Sequence, residues 1–116
     1  MTAPTGVFAS SGALSSVVAN NSSCRGTLIR AKWSEIEASK DQFDFTALDN
    51  QINAIKAIGK QYSLGILAGP FAPIWLTNGT QIKTIASARG PIPVWWNSYV
   101  ISRLSVLATA LGNRYN

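Results

Sequence analysis

The spacing of apolar residues changes twice along the middle of the chain, and each change predicts a different element. Residues 26–33 begin with a glycine and combine Leu28 and Ile29 with Trp33, as suits a buried strand. Apolar residues then recur at helical spacing, and residues 62–68 are predicted to form a continuous apolar strand. A strand, a helix and a buried strand at this spacing form a βαβ unit, in which the two strands lie parallel.

The helix between these strands has signals at both ends. Thr46 is predicted to cap it, because Asp49 follows three residues later as in a capping box. Gly59 is predicted to end it, since glycine readily adopts the left-handed backbone found after helices. Its apolar stripe consists of Leu48, Ile52 and Ile55.

The flanking regions complete an α/β pattern. Residues 5–10 are predicted to be a short first strand, and residues 14–19 one or two helical turns. We therefore expect an open parallel sheet of about three strands with helices on one face, the connections being right-handed.

After residue 68 the sequence predicts a loop to about Trp96, interrupted by Gly-Pro, Asn-Gly and further prolines. Its apolar content argues against disorder, and a loop of this length is typical of a functional segment. Residues 81–88 are predicted to form a short helix within it. Asn97 should cap a last helix that Gly112 ends. The apolar face of that helix consists of Val100, Ile101, Leu104, Leu107, Ala108 and Leu111.

Composition narrows the classes of function. Charged residues make up 13% of the chain, against about 25% in typical soluble domains, which suits a piece whose faces are covered by more protein. The net charge of +5 comes from scattered single basic residues, so no nucleic-acid partner is expected. Cys24 is the single cysteine and histidine is absent, so we expect no intrachain disulfide, no metal site and no histidine-based triad. No cofactor motif is present either.

The amino-terminal residues lack the basic and apolar regions of a signal peptide. No apolar run approaches the length that spans a bilayer, so no membrane association is expected. These features leave the localisation open and favour the cytoplasm.

Tryptophans are the best candidates for ligand contact. In a parallel βα array the loops after the strands lie on one face, where active sites form. Trp33, Trp75, Trp95 and Trp96 follow predicted strands or lie in the long loop, so they are expected to share one rim. Flat indole faces suit the C–H faces of sugar rings. The alternative is that two or more of them simply pack the loop.

Charged residues near the predicted strand give weaker candidates. Arg30 lies in the middle of a strand expected to be buried, so it must find a carboxylate or several acceptors. It is interpreted either as a residue that orients a catalytic carboxylate or as half of a structural ion pair. Lys32 is on the same side of the strand. Glu35 and Glu37 lie in an acidic turn and are expected to be solvated or capping groups rather than catalysts.

Three stretches together resemble a known family. The run W-S-E-I-E-A-S-K-D-Q-F-D-F-T-A-L-D, beginning at Trp33, resembles the W-x-x-(L/I)-E-P-x-x-G-x-(Y/F)-D-F-x-x-L-D run of β-galactosidase-like clan-A glycoside hydrolases. A-G-P-F-A-P-I-W-L resembles the loop after their third strand, and I-P-V-W-W-N-S-Y with L-G-N-R-Y-N the stretch before their fourth. The sequence departs from this pattern at Ala38, where the family has proline, and at Asp41, where it has glycine.

This resemblance implies that residues 1–116 are the N-terminal part of a TIM (β/α)8 barrel that acts on O-glycosidic bonds, with retention of configuration. Arg30, Trp33, Trp75, Trp95 and Trp96 would then be substrate-binding residues. The family's acid/base and nucleophile follow its fourth and seventh strands, which places both beyond Asn116. The expected partners are a carbohydrate substrate and the remainder of the barrel, and the chain alone is predicted to be inactive. Two alternatives stay open: a non-catalytic carbohydrate-binding or partner-assembled α/β module, and a small α/β domain with a structural role.

Overall fold

The computed structural model describes residues 5–10, 15–79 and 81–115. Within them the elements are β1 (Val7–Ala9), α1 (Ser16–Asn20), β2 (Cys24–Lys32), α2 (Trp33–Ile36), α3 (Thr46–Ala57), β3 (Gln61–Leu67), a 3-10 turn (Gly69–Phe71), α4 (Ile74–Thr77), β4 (Thr84–Ile85), β5 (Ile92–Pro93) and α5 (Ser98–Tyr115). The chain divides into two compact units. The first consists of Met1–Ala31 and Asp44–Ile66, and the second of Lys32–Phe43 and Leu67–Asn116.

A parallel sheet is the centre of the first unit. Its strand order is β1-β2-β3 and all three strands run parallel, so the predicted βαβ arrangement is confirmed. β1 pairs with β2 through Phe8 opposite Gly26 and Ala9 opposite Thr27. The core of this unit includes the predicted stripe of α3, which is Leu48, Ile52 and Ile55, together with Val18, Thr27 and Ile29.

Two details of this unit differ from the sequence prediction. β3 is expected to be buried, but its residues from Tyr62 to Ile66 are only half-buried. β3 is an edge strand of the described sheet, so no further strand covers its outer side. Residue 14, the predicted start of the first helix, lies outside the described residues, and α1 is observed from Ser16. The sequence therefore predicts the order of the elements better than their burial.

The start of α3 uses a different residue from the one predicted. Thr46 is the first helical residue and does not cap the helix. Instead, the Asp44 carboxylate accepts a hydrogen bond from the Thr46 backbone N–H at 3.0 Å. Hydrogen bonds from the backbone and side chain of Thr46 hold the pKa of Asp44 below its usual 3.8. The acidic side chain before the helix thus performs the role that the pattern assigned to threonine.

The predicted end of α3 is confirmed. Gly59 has a φ of +71°, and the N–H groups of Gly59 and Lys60 donate to the carbonyls of Lys56 and Ile55. This is the left-handed ending that satisfies the last carbonyls of a helix. The prediction that Gly112 ends α5 is wrong, because that helix continues to Tyr115.

These two glycines give a matched pair of substitutions. Gly59→Ala should lower the free energy of unfolding by about 1 kcal/mol, because alanine is strained at positive φ. Gly112→Ala should raise it by about 0.5–1 kcal/mol, since alanine is the better helix former. A Cβ at either position meets no atom within 4 Å, so backbone conformation alone separates them. Urea denaturation followed by circular dichroism measures both, and equal effects would contradict the assignment of these two positions.

The second unit contains short elements and one long helix. β4 and β5 pair antiparallel, Thr84 opposite Pro93 and Ile85 opposite Ile92, so the predicted helix over residues 81–88 is wrong. The cap of α5 is confirmed, because the Asn97 Oδ1 accepts from the N–H groups of Tyr99 and Val100. The apolar face of α5 is only partly buried: Val100 and Leu107 are covered, and Ile101 is half-exposed.

A search of the described residues for helices long and apolar enough to cross a membrane finds none.

Candidate functional site

Trp33 and Glu37 form the base of a buried polar cluster in the second unit. They lie one helical turn apart in and directly after α2, and the indole Nε1–H of Trp33 donates to Glu37 Oε1 at 2.9 Å. Both residues are 0% exposed. The second carboxylate oxygen of Glu37 accepts from the backbone N–H of Asp41 at 2.8 Å. The buried Glu37 side chain therefore holds together the backbone of the turn between Glu37 and Asp41.

Arg103, on α5, supplies the positive charge of this cluster. Its NH2 donates to Glu37 Oε2 at 2.6 Å and to Asp41 Oδ1 at 2.8 Å. Burial alone lowers the pKa of Arg103, but the hydrogen bonds and charges of Asp41 and Glu37 outweigh it and leave the pKa above its usual value. The guanidinium is therefore a permanent cation. Its Nε is buried and is without a hydrogen-bond partner among the described residues.

Trp75, in α4, completes the cluster. Its indole N–H donates to the backbone carbonyl of Glu37 at 2.8 Å. Its ring meets that of Trp33 edge to face, with centroids 6.3 Å apart and an interplanar angle of 88°. The Arg103 guanidinium lies 5.1 Å from the Trp75 ring centroid, within the range of a cation–π contact. We call these five residues, Trp33, Glu37, Asp41, Trp75 and Arg103, the Glu37 cluster.

The four predicted rim tryptophans have different environments. Trp33 is 0% exposed and packs in the core, so it does not lie on an exposed rim in this structure, and its sugar-contacting role stays a prediction. Trp75 is half-buried and its N–H is already used by Glu37. Trp95 is half-buried, whereas Trp96 is 76% exposed. Trp96 is thus the tryptophan best placed to stack on a ligand.

Trp96 lines a pocket of about 460 Å³, a volume within the usual range for small-molecule sites. Its other lining residues are Gln81, Ile82, Lys83, Val94 and Asn97. All of them belong to the second unit. We call this the Trp96 pocket.

Arg30 is not buried as the sequence predicts. It is exposed, and its guanidinium donates to the carbonyl and to the hydroxyl of Ser10. No acid of the described residues forms an ion pair with it, so its role in orienting a catalytic carboxylate stays a prediction. The Lys32 Nζ lies 3.8 Å from Glu35 Oε1. This ion pair is largely exposed to solvent and therefore contributes little to stability.

The acidic turn differs from its predicted solvated state. Glu35 is exposed, as expected, but Glu37 is fully buried and its carboxylate accepts three hydrogen bonds. Sequence analysis missed Glu37 and Arg103 as structural partners. The signals were present: Glu37 is four residues after a tryptophan, and Arg103 falls between Val100 and Leu107 at helical spacing.

The described residues contain no group of three or more His, Cys, Asp or Glu side chains that could hold a metal ion. Comparison of the chain with models of protein families gives no match, and comparison with curated proteins also gives none.

Proposed function

We propose that this chain is the N-terminal part of a (β/α)8-barrel glycoside hydrolase, to which it contributes sugar-binding residues and not the two catalytic carboxylates. The observation that carries the proposal is the Glu37 cluster. It joins two of the three stretches that carry the resemblance, because Trp33 and Glu37 come from the first and Trp75 from the second. Residues from two separate motifs therefore contact one another, as expected if the motifs belong to one structural arrangement of the family.

The backbone at Asp41 supports the same proposal. Asp41 has a φ of +63° and is the one non-glycine residue with positive φ in the described part of the chain. It occupies the position where the resembled family has glycine, the residue that adopts this conformation at no steric cost. The chain thus keeps the turn that glycine would favour, and its aspartate is stabilised there by Arg103 at 2.8 Å.

The chain's own acids do not suit hydrolysis of a glycoside. Hydrolysis with retention needs two carboxyl groups about 5 Å apart that flank the scissile bond, and inversion needs a somewhat wider pair. Glu37 is buried and bound on both oxygens, and Asp41 pairs with Arg103. Glu35, Asp44 and Asp49 lie at the surface of the acidic turn or in the first turn of α3. We therefore expect that no two carboxylates of this chain flank a scissile bond.

We expect the purified chain to bind soluble polysaccharide without cleaving it. Trp96→Ala should lower the affinity at least about tenfold, because stacking on an exposed indole would supply most of the apolar contact. Ile101→Ala, which changes a half-exposed apolar residue of α5 that does not line the Trp96 pocket, is the control and should leave binding unchanged. Affinity electrophoresis against a panel of galactans, xylans and glucans measures binding, and aryl glycosides measure turnover. Turnover that disappears in Glu35→Gln would contradict the proposed division of roles.

A non-catalytic carbohydrate-binding module is the second candidate, favoured by the exposed Trp96 alone. Hydrolysis by the product of the complete reading frame that contains this sequence separates the two. Retaining glycosidase activity supports the hydrolase, whereas glycan binding without hydrolysis supports the module.

A further inference from the structure

The Trp96 pocket has walls that the backbone fixes. One wall comes from the three residues before β4, and the other from the turn that follows β5. The Val94 N–H donates to the Lys83 carbonyl at 3.2 Å, which extends the β4–β5 pairing by one step, and the Asn97 N–H donates to the Val94 carbonyl at 3.1 Å. Lys83 and Asn97 are thus each tied to the same residue, Val94, so the pocket is formed before a ligand arrives.

The chemistry of the lining is both aromatic and cationic. Trp96 presents a large apolar surface, at 76% exposure, which suits the C–H face of a pyranose ring. Lys83 is the one charged residue among those that line the pocket, and no acid of the described residues forms an ion pair with it.

The amides of the lining supply donors as well. Because the Asn97 oxygen accepts from the backbone N–H groups of Tyr99 and Val100, its NH2 group is the part of this side chain suited to a ligand. Asn97 also precedes the first turn of α5, which contains no acidic residue. The fixed charge at this pocket is therefore positive, in a chain whose net charge is +5.

We propose that the Trp96 pocket binds an anionic sugar residue, with its ring stacked on Trp96 and its acidic group bound by Lys83. This inference rests on the proposed function, which it deepens by naming the substrate class as an acidic glycan. The acidic group is either the carboxylate of a uronic acid or a sulfate ester. Both have oxygens that accept charge-assisted hydrogen bonds from an ammonium group.

The test measures binding of the full chain to polygalacturonate and to the same polymer after full methyl esterification, which removes the charge and keeps the rings. Binding to dextran sulfate is compared with binding to uncharged dextran, which tests recognition of a sulfate ester in the same way. The variants are Lys83→Gln and Arg89→Gln, both exposed residues of one loop region. Each lowers the net charge by one, so a general electrostatic attraction would weaken equally in both.

We expect the chain to bind the charged polymer of one of these two pairs more tightly than its neutral counterpart. Lys83→Gln should weaken binding of the charged polymer at least about tenfold, whereas Arg89→Gln should change it by less than about twofold. Lys83→Arg should retain the preference. Equal weakening by Lys83→Gln and Arg89→Gln, or equal binding of the charged and neutral polymers, would overturn the inference. In those cases, binding that Trp96→Ala abolishes would still support the proposed function. Failure to bind any glycan, with native circular dichroism, would overturn the inference and the sugar-binding role together.

Discussion

Replacing Arg103 by methionine is expected to lower the free energy of unfolding by about 3–5 kcal/mol, because it leaves a buried carboxylate without its cation. Glu37 is 0% exposed and its Oε2 lies 2.6 Å from the Arg103 guanidinium. Methionine restores much of the apolar stem of arginine but none of its charge. Since small domains unfold with a free energy of only about 5–15 kcal/mol, the variant should lose a large part of its stability.

Controls separate the lost charge from the lost packing. Arg89→Met changes an exposed arginine of the same unit and should alter stability by less than about 0.5 kcal/mol. Asp41→Asn should cost about 1 kcal/mol or less, since the Asp41 side chain is 58% exposed and solvent screens its pair with Arg103.

The double variant Glu37→Gln/Arg103→Met removes both charges and is expected to be more stable than Arg103→Met alone. Chemical denaturation of the unmodified protein, Glu37→Gln, Arg103→Met and the double variant gives the coupling energy between Glu37 and Arg103. A double variant less stable than either single variant would show that the ion pair is not the reason for the loss.

The local patterns predicted correctly those features that neighbouring residues determine. The end of α3 at Gly59 and the cap of α5 at Asn97 each depend on one residue and its next few neighbours. The parallel sheet follows from the change of apolar period between β2 and β3, with α3 between them. Helices and their ends use contacts within about four residues, so a sequence read without a structure contains this information.

Features that depend on distant residues were missed. The segment 81–88 was predicted to be helical, yet Thr84–Ile85 pairs with Ile92–Pro93 across a turn that the local pattern does not reveal. Arg103 interrupts the apolar stripe of α5 because it binds Glu37, which lies 66 residues earlier. A buried charge is tolerated only with its partner, and no local pattern identifies a partner at that distance.

The same limit applies to the candidate site. The positions of the four tryptophans after predicted strands and in the long loop predict one shared rim, but hydrogen-bond partners, which for Trp75 lie far away in the sequence, decide which of them are covered. Trp33 and Trp75 both donate to Glu37, whereas Trp96 is exposed beside Lys83. The hydrogen bonds to Glu37 therefore distinguish the two covered tryptophans from the exposed Trp96, and the sugar-binding role itself stays a prediction.

Trp33→Ala is expected to cost about 3–5 kcal/mol of unfolding free energy, through the cavity left by a large buried ring. It also removes the N–H that donates to Glu37 at 2.9 Å and the edge-to-face contact with Trp75. Trp96→Ala is the matched control: it removes the same side chain at 76% exposure and should change stability by less than about 0.5 kcal/mol.

Trp33→Phe tests the same position without a large cavity and keeps the measurement possible if the alanine variant does not fold. It retains most of the ring but not the N–H, so it should cost about 1–3 kcal/mol, the penalty for leaving a buried acceptor with one partner fewer. Urea denaturation of the three variants measures these differences. The order of destabilisation should be Trp33→Ala, then Trp33→Phe, then Trp96→Ala. If Trp33→Ala were no more destabilising than Trp96→Ala, Trp33 would not be a core residue, and its predicted place on a sugar-binding rim would have to be restored.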